Sequence, residues 1–88
     1  MAILELKTDP DVFDQSWEGV KDYEIRRDDR RFEVGDILIL RETVYTGEEM
    51  RNGKPLLYTG RQLTRIVNGI VTGYGLQEGW CILNIAKV

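Results

Sequence analysis

The fold prediction rests on residues 19–26, which are Gly-Val-Lys-Asp-Tyr-Glu-Ile-Arg. A helix is predicted to end at Gly19, because glycine adopts the left-handed conformation that closes a helix without steric cost. A strand follows at once, and its alternation places Glu24 and Arg26 on one face. Together with Lys21, three ionisable side chains therefore converge where a helix meets a strand.

The helix before this corner has a clear start signal at Asp9 and Pro10. An Asp oxygen can cap free N–H groups, and Pro occupies the first helical position without losing a hydrogen bond. Apolar residues recur from Phe13 at spacings of four and three, which gives the helix one apolar face. The sequence thus predicts one principal helix between about Asp9 and Gly19.

Strands are predicted around this helix from alternating or continuous apolar runs. They cover residues 3–7, 23–27, 37–40, 61–71 and 80–86, with a bulge or bend near Asn68-Gly69. The continuous run at 37–40 predicts a central strand covered on both faces. The polar stretch from Thr43 to Gly60 predicts a mobile excursion with a tight hairpin turn at Asn52-Gly53.

This order predicts a single α+β domain over residues 1–88, built as a small, partly closed, mostly antiparallel β-barrel with one helix plugging an end. The residues predicted to be buried are Val12, Phe13, Trp17, Ile25, Leu38, Leu40, Val67, Ile82 and Ile85.

Composition excludes several function classes. The chain has no His, which removes the commonest general base and zinc ligand, so any catalysis must use Lys, Asp, Glu or Tyr, and we expect no metal and no cofactor. The 12 Lys and Arg residues against 15 Asp and Glu residues give a net charge of −3. That balance argues against a long duplex as partner, whereas a local basic patch for a short strand stays open.

The sequence also predicts a cytoplasmic protein. The only cysteine, Cys81, lies in an apolar run and cannot form an internal disulfide, so we interpret it as a small core residue in a reducing compartment. No apolar stretch approaches the ~18 residues of a membrane span, and Met1 to Lys7 lacks the pattern of a signal peptide. No membrane partner is therefore expected.

Three sets of residues are candidates for a binding site. Lys21 and Arg26 could hold a phosphate or a base edge while Glu24 orients them or accepts a hydrogen bond, although an ion-pair network that supports a barrel mouth explains the same residues. The arginine run that includes Arg27 and Arg30 could contact nucleic acid, or could be a solvated hairpin. Tyr74, between two glycines, could stack on a base or cover the barrel edge.

Gly19, Lys21, Glu24 and Arg26 match the pattern G-x-K-x-x-E-x-R, and in this the chain resembles the ASCH domain family. The resemblance continues through residues 32–38 and the glycine-rich turn before the last strand. It implies a PUA-like barrel, a cleft lined by the motif where the helix meets the barrel, and contact with RNA. It also implies relatives among small bacterial and phage proteins without an assigned activity.

The resemblance also implies an alternative, because some compact ASCH members hydrolyse N4-acylated cytidines with the motif Lys, a Thr in the strand and a separate Glu. Glu24 stands at the position of that Thr, and Glu78 is the candidate for the separate acid. The first hypothesis is thus a module for RNA, single-stranded nucleic acid or a nucleotide-like ligand, with Lys21 and Arg26 as exposed cleft charges. The others are an amidohydrolase-like enzyme and a protein-interaction module that uses residues 43–60.

Overall fold

A five-stranded sheet and two helices make up the fold, and the computed structural model describes residues 1–88. The elements are β1 (Ile3–Thr8), α1 (Pro10–Trp17), β2 (Tyr23–Arg27), β3 (Ile37–Thr43), α2 (Gly47–Arg51), β4 (Tyr58–Val71) and β5 (Trp80–Lys87). The α+β class, the principal helix and all five predicted strands are confirmed. No helix is long and apolar enough to cross a membrane.

The sheet has the strand order β1-β3-β4-β5-β2 and curls into a half-barrel. β1 pairs with β3 in parallel, and the other three pairs are antiparallel. The prediction of a mostly antiparallel, partly closed sheet is thereby confirmed. β3 is an interior strand, as predicted, because it pairs with β1 on one side and with β4 on the other. β4 lies in the middle of the strand order, and its 14 residues pair with β3 and β5 along different parts of its length.

The predicted irregularity in β4 is also confirmed. The register of β4 against β5 shifts between Val67 and Gly69. A Cβ on Gly69 would lie 3.1 Å from the side-chain nitrogen of Asn84, so this position favours glycine. The bulge bends the longest strand and contributes to the curl of the sheet.

The core lies on the concave face of the sheet beneath α1. It consists of Leu6, Phe13, Phe32, Leu38, Leu40, Val67, Cys81, Leu83 and Ile85. Five predicted core residues are among these, and Val12 and Ile82 are half-buried. Trp17 and Ile25 are wrong predictions, because their exposed fractions are 48% and 51%.

The two errors have separate causes. Trp17 lies at the last position of α1, where its ring contacts Phe13 at a centroid distance of 5.9 Å but reaches the edge of the core only. Ile25 faces outward because its neighbours Glu24 and Arg26 occupy the inner face of β2, and side chains alternate along a strand.

The C-terminal end of α1 is closed as the sequence predicts, whereas the N-terminal end is not capped as predicted. Gly19 has a φ of +79°, and the bonds from Val20 N to Gln15 O and from Gly19 N to Ser16 O close the helix as predicted. Asp9, however, does not cap α1 with its side chain. Its Oδ1 accepts a hydrogen bond of 2.9 Å from Gly47 N, the first residue of α2, and so ties the two helices together.

The second helix corrects the prediction of a hairpin turn between Thr43 and Gly60. Thr46 Oγ1 accepts from Glu49 N at 3.1 Å, and Glu49 Oε1 accepts from Thr46 N at 3.0 Å. This capping box satisfies free N–H groups of α2 and makes a short helix favourable. Asn52 and Gly53 therefore end a helix instead of forming a hairpin tip.

Arg61 on β4 fastens α1 to the sheet. Its guanidinium donates to Asp14 Oδ1 on α1 at 2.6 Å and to Glu42 on β3 at 3.0 and 2.8 Å. It also lies over the rings of Phe13 and Trp17, at 5.2 and 4.9 Å from their centroids. The hydrogen bond from Arg61 is the main cause that lowers the pKa of Glu42.

We predict that Glu42→Gln lowers the melting temperature at pH 7 and weakens its acid dependence. The folded-state pKa of Glu42 is below the ordinary value of 4.5, so its charged form stabilises the fold above that pH. This contribution is lost as the pH falls through the lowered folded-state pKa. Thermal unfolding from pH 7 to about pH 3 checks the prediction, with the exposed Glu5→Gln as control. An acid dependence identical to that of the wild type would contradict it.

Candidate functional site

A cleft of about 1070 Å³ opens where the half-barrel does not close. Its walls come from the two edge strands β1 and β2, from α1 and α2, and from the loop after β2. β1 and β2 do not pair, and side chains bridge them instead. Arg26 Nη2 donates to Thr8 Oγ1 at 3.3 Å, and Arg30 Nη2 donates to the carbonyl of Glu5 at 3.4 Å.

The centre of the cleft is an ion-pair group formed by Lys21, Glu24 and Arg26, which we call the Glu24 cluster. Glu24 Oε2 accepts from Lys21 Nζ, and Oε1 accepts from Arg26 Nε at 3.1 Å and from Nη2 at 2.8 Å. The cluster forms because the Schellman turn at Gly19 directs the chain into β2, where alternation sends Glu24 and Arg26 to the inner face.

Burial in the Glu24 cluster is deeper than the sequence predicts. Glu24 is 2% exposed and Lys21 is 9% exposed, so the expectation of two exposed cleft cations is wrong for Lys21. A buried carboxylate requires nearby cations and hydrogen-bond donors to offset the loss of water, and Lys21 and Arg26 supply them. The ion-pair network is therefore present, and its members also line the cleft.

The structure brings together five of the predicted site residues and separates two. Lys21, Glu24, Arg26, Arg27 and Arg30 all line the cleft. Glu78 instead lines a second pocket of about 480 Å³, beside Asp28 and Trp80. Tyr74 lines neither pocket, and with an exposed fraction of 96% it does not cover the barrel edge.

Several residues that line the cleft were not predicted as site residues, among them Tyr23, Met50, Arg51 and Trp80. Trp80 pairs with Arg27 in the register of β5 and β2, and the guanidinium carbon of Arg27 lies 5.8 Å from the ring centroid. No local sequence pattern predicts the pairing of Trp80 with Arg27. Met50 and Arg51 follow from α2, which the Thr46-x-x-Glu49 capping signal could have predicted.

Positive charge is concentrated in the cleft. Six basic residues line it, against the three carboxylates Asp9, Glu24 and Asp29. These residues carry a formal charge of +3, so the remaining residues carry −6 to give the −3 of the whole chain. An acidic protein thus presents a basic cleft.

The structure contains no cluster of metal-ligating side chains, and its one thiol lies in an environment that disfavours the reactive thiolate. Cys81 is buried as predicted, and burial, with the nearby negative charges of Asp28 and Asp29, raises the pKa of its thiol. A raised pKa leaves little reactive thiolate at neutral pH. No group of three or more potential metal-ligating side chains is close enough to hold an ion.

Comparison with known proteins assigns the chain to a family of unknown function. The model of the domain of unknown function DUF3850 matches residues 3–85, which includes both edge strands and the whole Glu24 cluster. The chain belongs to this family. No curated protein matches it.

We predict that Glu24→Ala destabilises the fold by about 3 kcal/mol or more, because it leaves Lys21 buried without a counter-charge. Unfolding by denaturant measures the loss. The exposed Glu33→Ala is the matched control and should change stability by about 0.5 kcal/mol or less. Equal stability of the two variants would show that the cluster contributes nothing to the fold.

Proposed function

We propose that this chain binds RNA, or another short single-stranded or nucleotide-like anion, in the cleft, as a PUA-like barrel of the ASCH type. The observation that carries the proposal is the net positive charge of the cleft in a protein whose remaining residues are strongly acidic. Phosphates are attracted to such a cleft, whereas the acidic remainder repels a long duplex that would extend beyond it.

The donors of the Glu24 cluster are only partly used within the protein. Arg26 donates through Nε and Nη2, so both N–H groups of Nη1 remain without a protein acceptor, and its side chain is 24% exposed. Lys21 donates to Glu24 and retains two further N–H groups. In the proposed complex, Arg26, Arg27 and Arg30 contact phosphates, and Glu24 fixes the direction of the two cations beside it.

The G-x-K-x-x-E-x-R motif supports the family part of the proposal. All of its charged members line one cleft at the corner between α1 and β2, and the resemblance implies a ligand-binding cleft at such a corner. The curled half-barrel is compatible with a PUA-like barrel. The proposal includes a cytoplasmic location, supported by the single, unpaired and buried Cys81.

Hydrolysis of an N4-acylated cytidine is the second candidate function. It is favoured by the direct contact of Lys21 with Glu24 inside the cleft, because such a pair can exchange a proton with a bound amide. Two features weigh against it. Glu78 lines the other pocket, and both oxygens of Glu24 already accept hydrogen bonds from cations.

We predict that Arg27→Ala/Arg30→Ala weakens binding of a short single-stranded RNA by about 1 to 3 kcal/mol and flattens its dependence on salt, because fewer phosphates are neutralised. Binding isotherms at several salt concentrations measure both effects. Arg65→Ala, which removes an arginine outside the cleft, is the control. Unchanged affinity in the double variant, or no binding of any single strand by the wild type, would contradict the proposal.

We further predict that the wild type binds N4-acetylcytidine without turning it over. Chromatography of the nucleoside after incubation would detect any cytidine released. Turnover that Glu24→Gln abolishes would establish the enzymatic function, with Glu24 as a proton acceptor or donor.

A further inference from the structure

The edge strand β2 has an inverted pattern of side chains. Its inner face carries Glu24 and Arg26, whereas Tyr23 and Ile25 on the outer face are 39% and 51% exposed. On β5, Ile82 pairs with Ile25 and Trp80 pairs with Arg27. Tyr23, Ile25, Ile82 and Trp80 therefore form one apolar and aromatic row on the outside of the sheet, which we call the β2–β5 stripe.

The stripe is continuous with the cationic cleft. Because β2 is an edge strand, residues from both of its faces meet at the unpaired edge, and Tyr23, Ile25 and Trp80 line the same cleft as the Glu24 cluster. Lys21 Nζ lies 5.2 Å from the centroid of the Tyr23 ring, and Arg27 lies beside Trp80. A ligand that crosses the edge would touch cations and aromatic rings together.

We propose that unpaired bases stack on Tyr23 and Trp80 while the adjoining phosphates lie in the cleft. This inference rests on the proposed function and narrows its ligand to a strand with accessible base faces. In a duplex the faces are covered by neighbouring pairs, so a duplex cannot use the stripe. Trp80 pairs with Arg27, which is four residues from Tyr23. The rings of Tyr23 and Trp80 are thus separated by about 13 Å along the strand direction, so each ring stacks on a separate base.

The positive charge of the cleft favours a nucleic-acid strand over a second copy of this chain as the partner that covers the β2–β5 stripe. A second copy of this chain would bring another cleft with six basic residues against the first, and like charges at an interface are unfavourable. A nucleic-acid strand supplies both a negative backbone and flat apolar surfaces, which match the two parts of the site. We therefore commit to a single strand, and self-association becomes an outcome of the test.

The test compares ligands of equal charge in a Trp17→Phe background, where Trp80 is the one remaining tryptophan. The probes are an RNA of about six nucleotides, an abasic strand of the same length, and inorganic polyphosphate. We expect the RNA to quench the fluorescence of Trp80 and to bind at least about tenfold more tightly than the abasic strand. Equal affinity for the two strands would overturn the inference.

Variants of the two rings provide the matched measurement. Tyr23→Leu and Trp80→Leu should each lower RNA affinity by roughly 5- to 100-fold and leave the affinity for the abasic strand unchanged. The control Tyr58→Leu removes an exposed ring outside the cleft and should change neither the affinity for RNA nor the affinity for the abasic strand. Circular dichroism checks that each variant is folded. Tyr23 is more exposed than Trp80, so its replacement disturbs the fold less. If Trp80→Leu unfolds, the affinities of Tyr23→Leu for RNA and for the abasic strand decide the result.

The remaining outcomes separate the two proposals. Binding of RNA that is unchanged in Tyr23→Leu overturns the stacking inference and leaves the proposed function standing. Absence of binding to every strand overturns both. Sedimentation that shows a wild-type dimer, dissociated by Ile25→Arg, would assign the stripe to self-association and overturn the inference.

Discussion

The buried carboxylate of Glu24 is the constraint on which the open side of the half-barrel depends. A carboxylate removed from water needs cations and donors around it, and Lys21 and Arg26 supply them from the turn before β2 and from β2 itself. Once Glu24 and Arg26 occupy the inner face of β2, Ile25 must face outward. Arg26 then reaches Thr8 on β1 and joins two strands that share no backbone hydrogen bonds.

Stability alone does not account for such a cluster. A buried ion pair replaced by apolar side chains of similar volume is often as stable or more stable, since the cost of removing charges from water is large. The apolar residues needed for closure are available in the same molecule, as Leu6 and Phe32 show by lining the cleft from within the core. Apolar side chains could thus close this side of the barrel without the three charges, which supports the proposal that the charges contact a ligand in the cleft.

The features that could be predicted from the sequence are those set by neighbours along the chain. Alternation and apolar runs located the strands, and Pro10 and Gly19 located the ends of α1. The features that could not be predicted involve partners distant in the chain. Asp9 caps a helix 38 residues away, Arg61 contacts Asp14 across 47 residues, and Trp80 joins the cleft only through its register with Arg27.

The outward position of Ile25 contradicts the prediction, because an apolar side chain is expected inside and no local rule predicts that Glu24 takes the inner face. The helix α2 is different, because its capping box of Thr46 and Glu49 is a local signal from which a helix can be predicted.

The two open edges of the sheet are protected in different ways, and the difference supports the proposal that β2 is the edge that meets the ligand. On β1, the charged and exposed residues Glu5 and Lys7 face outward together with the exposed Ile3, and such charges are a common means of preventing association with another sheet. On β2, the charged Glu24 and Arg26 face inward, and Tyr23 and Ile25 face outward with Arg27. Inward charges also discourage pairing, so β2 is protected without an outer row of charge. Its outer face is thereby free to carry apolar and aromatic side chains beside a basic cleft. An edge built in this way resists another β-strand and is compatible with the flat, anionic ligand that we propose.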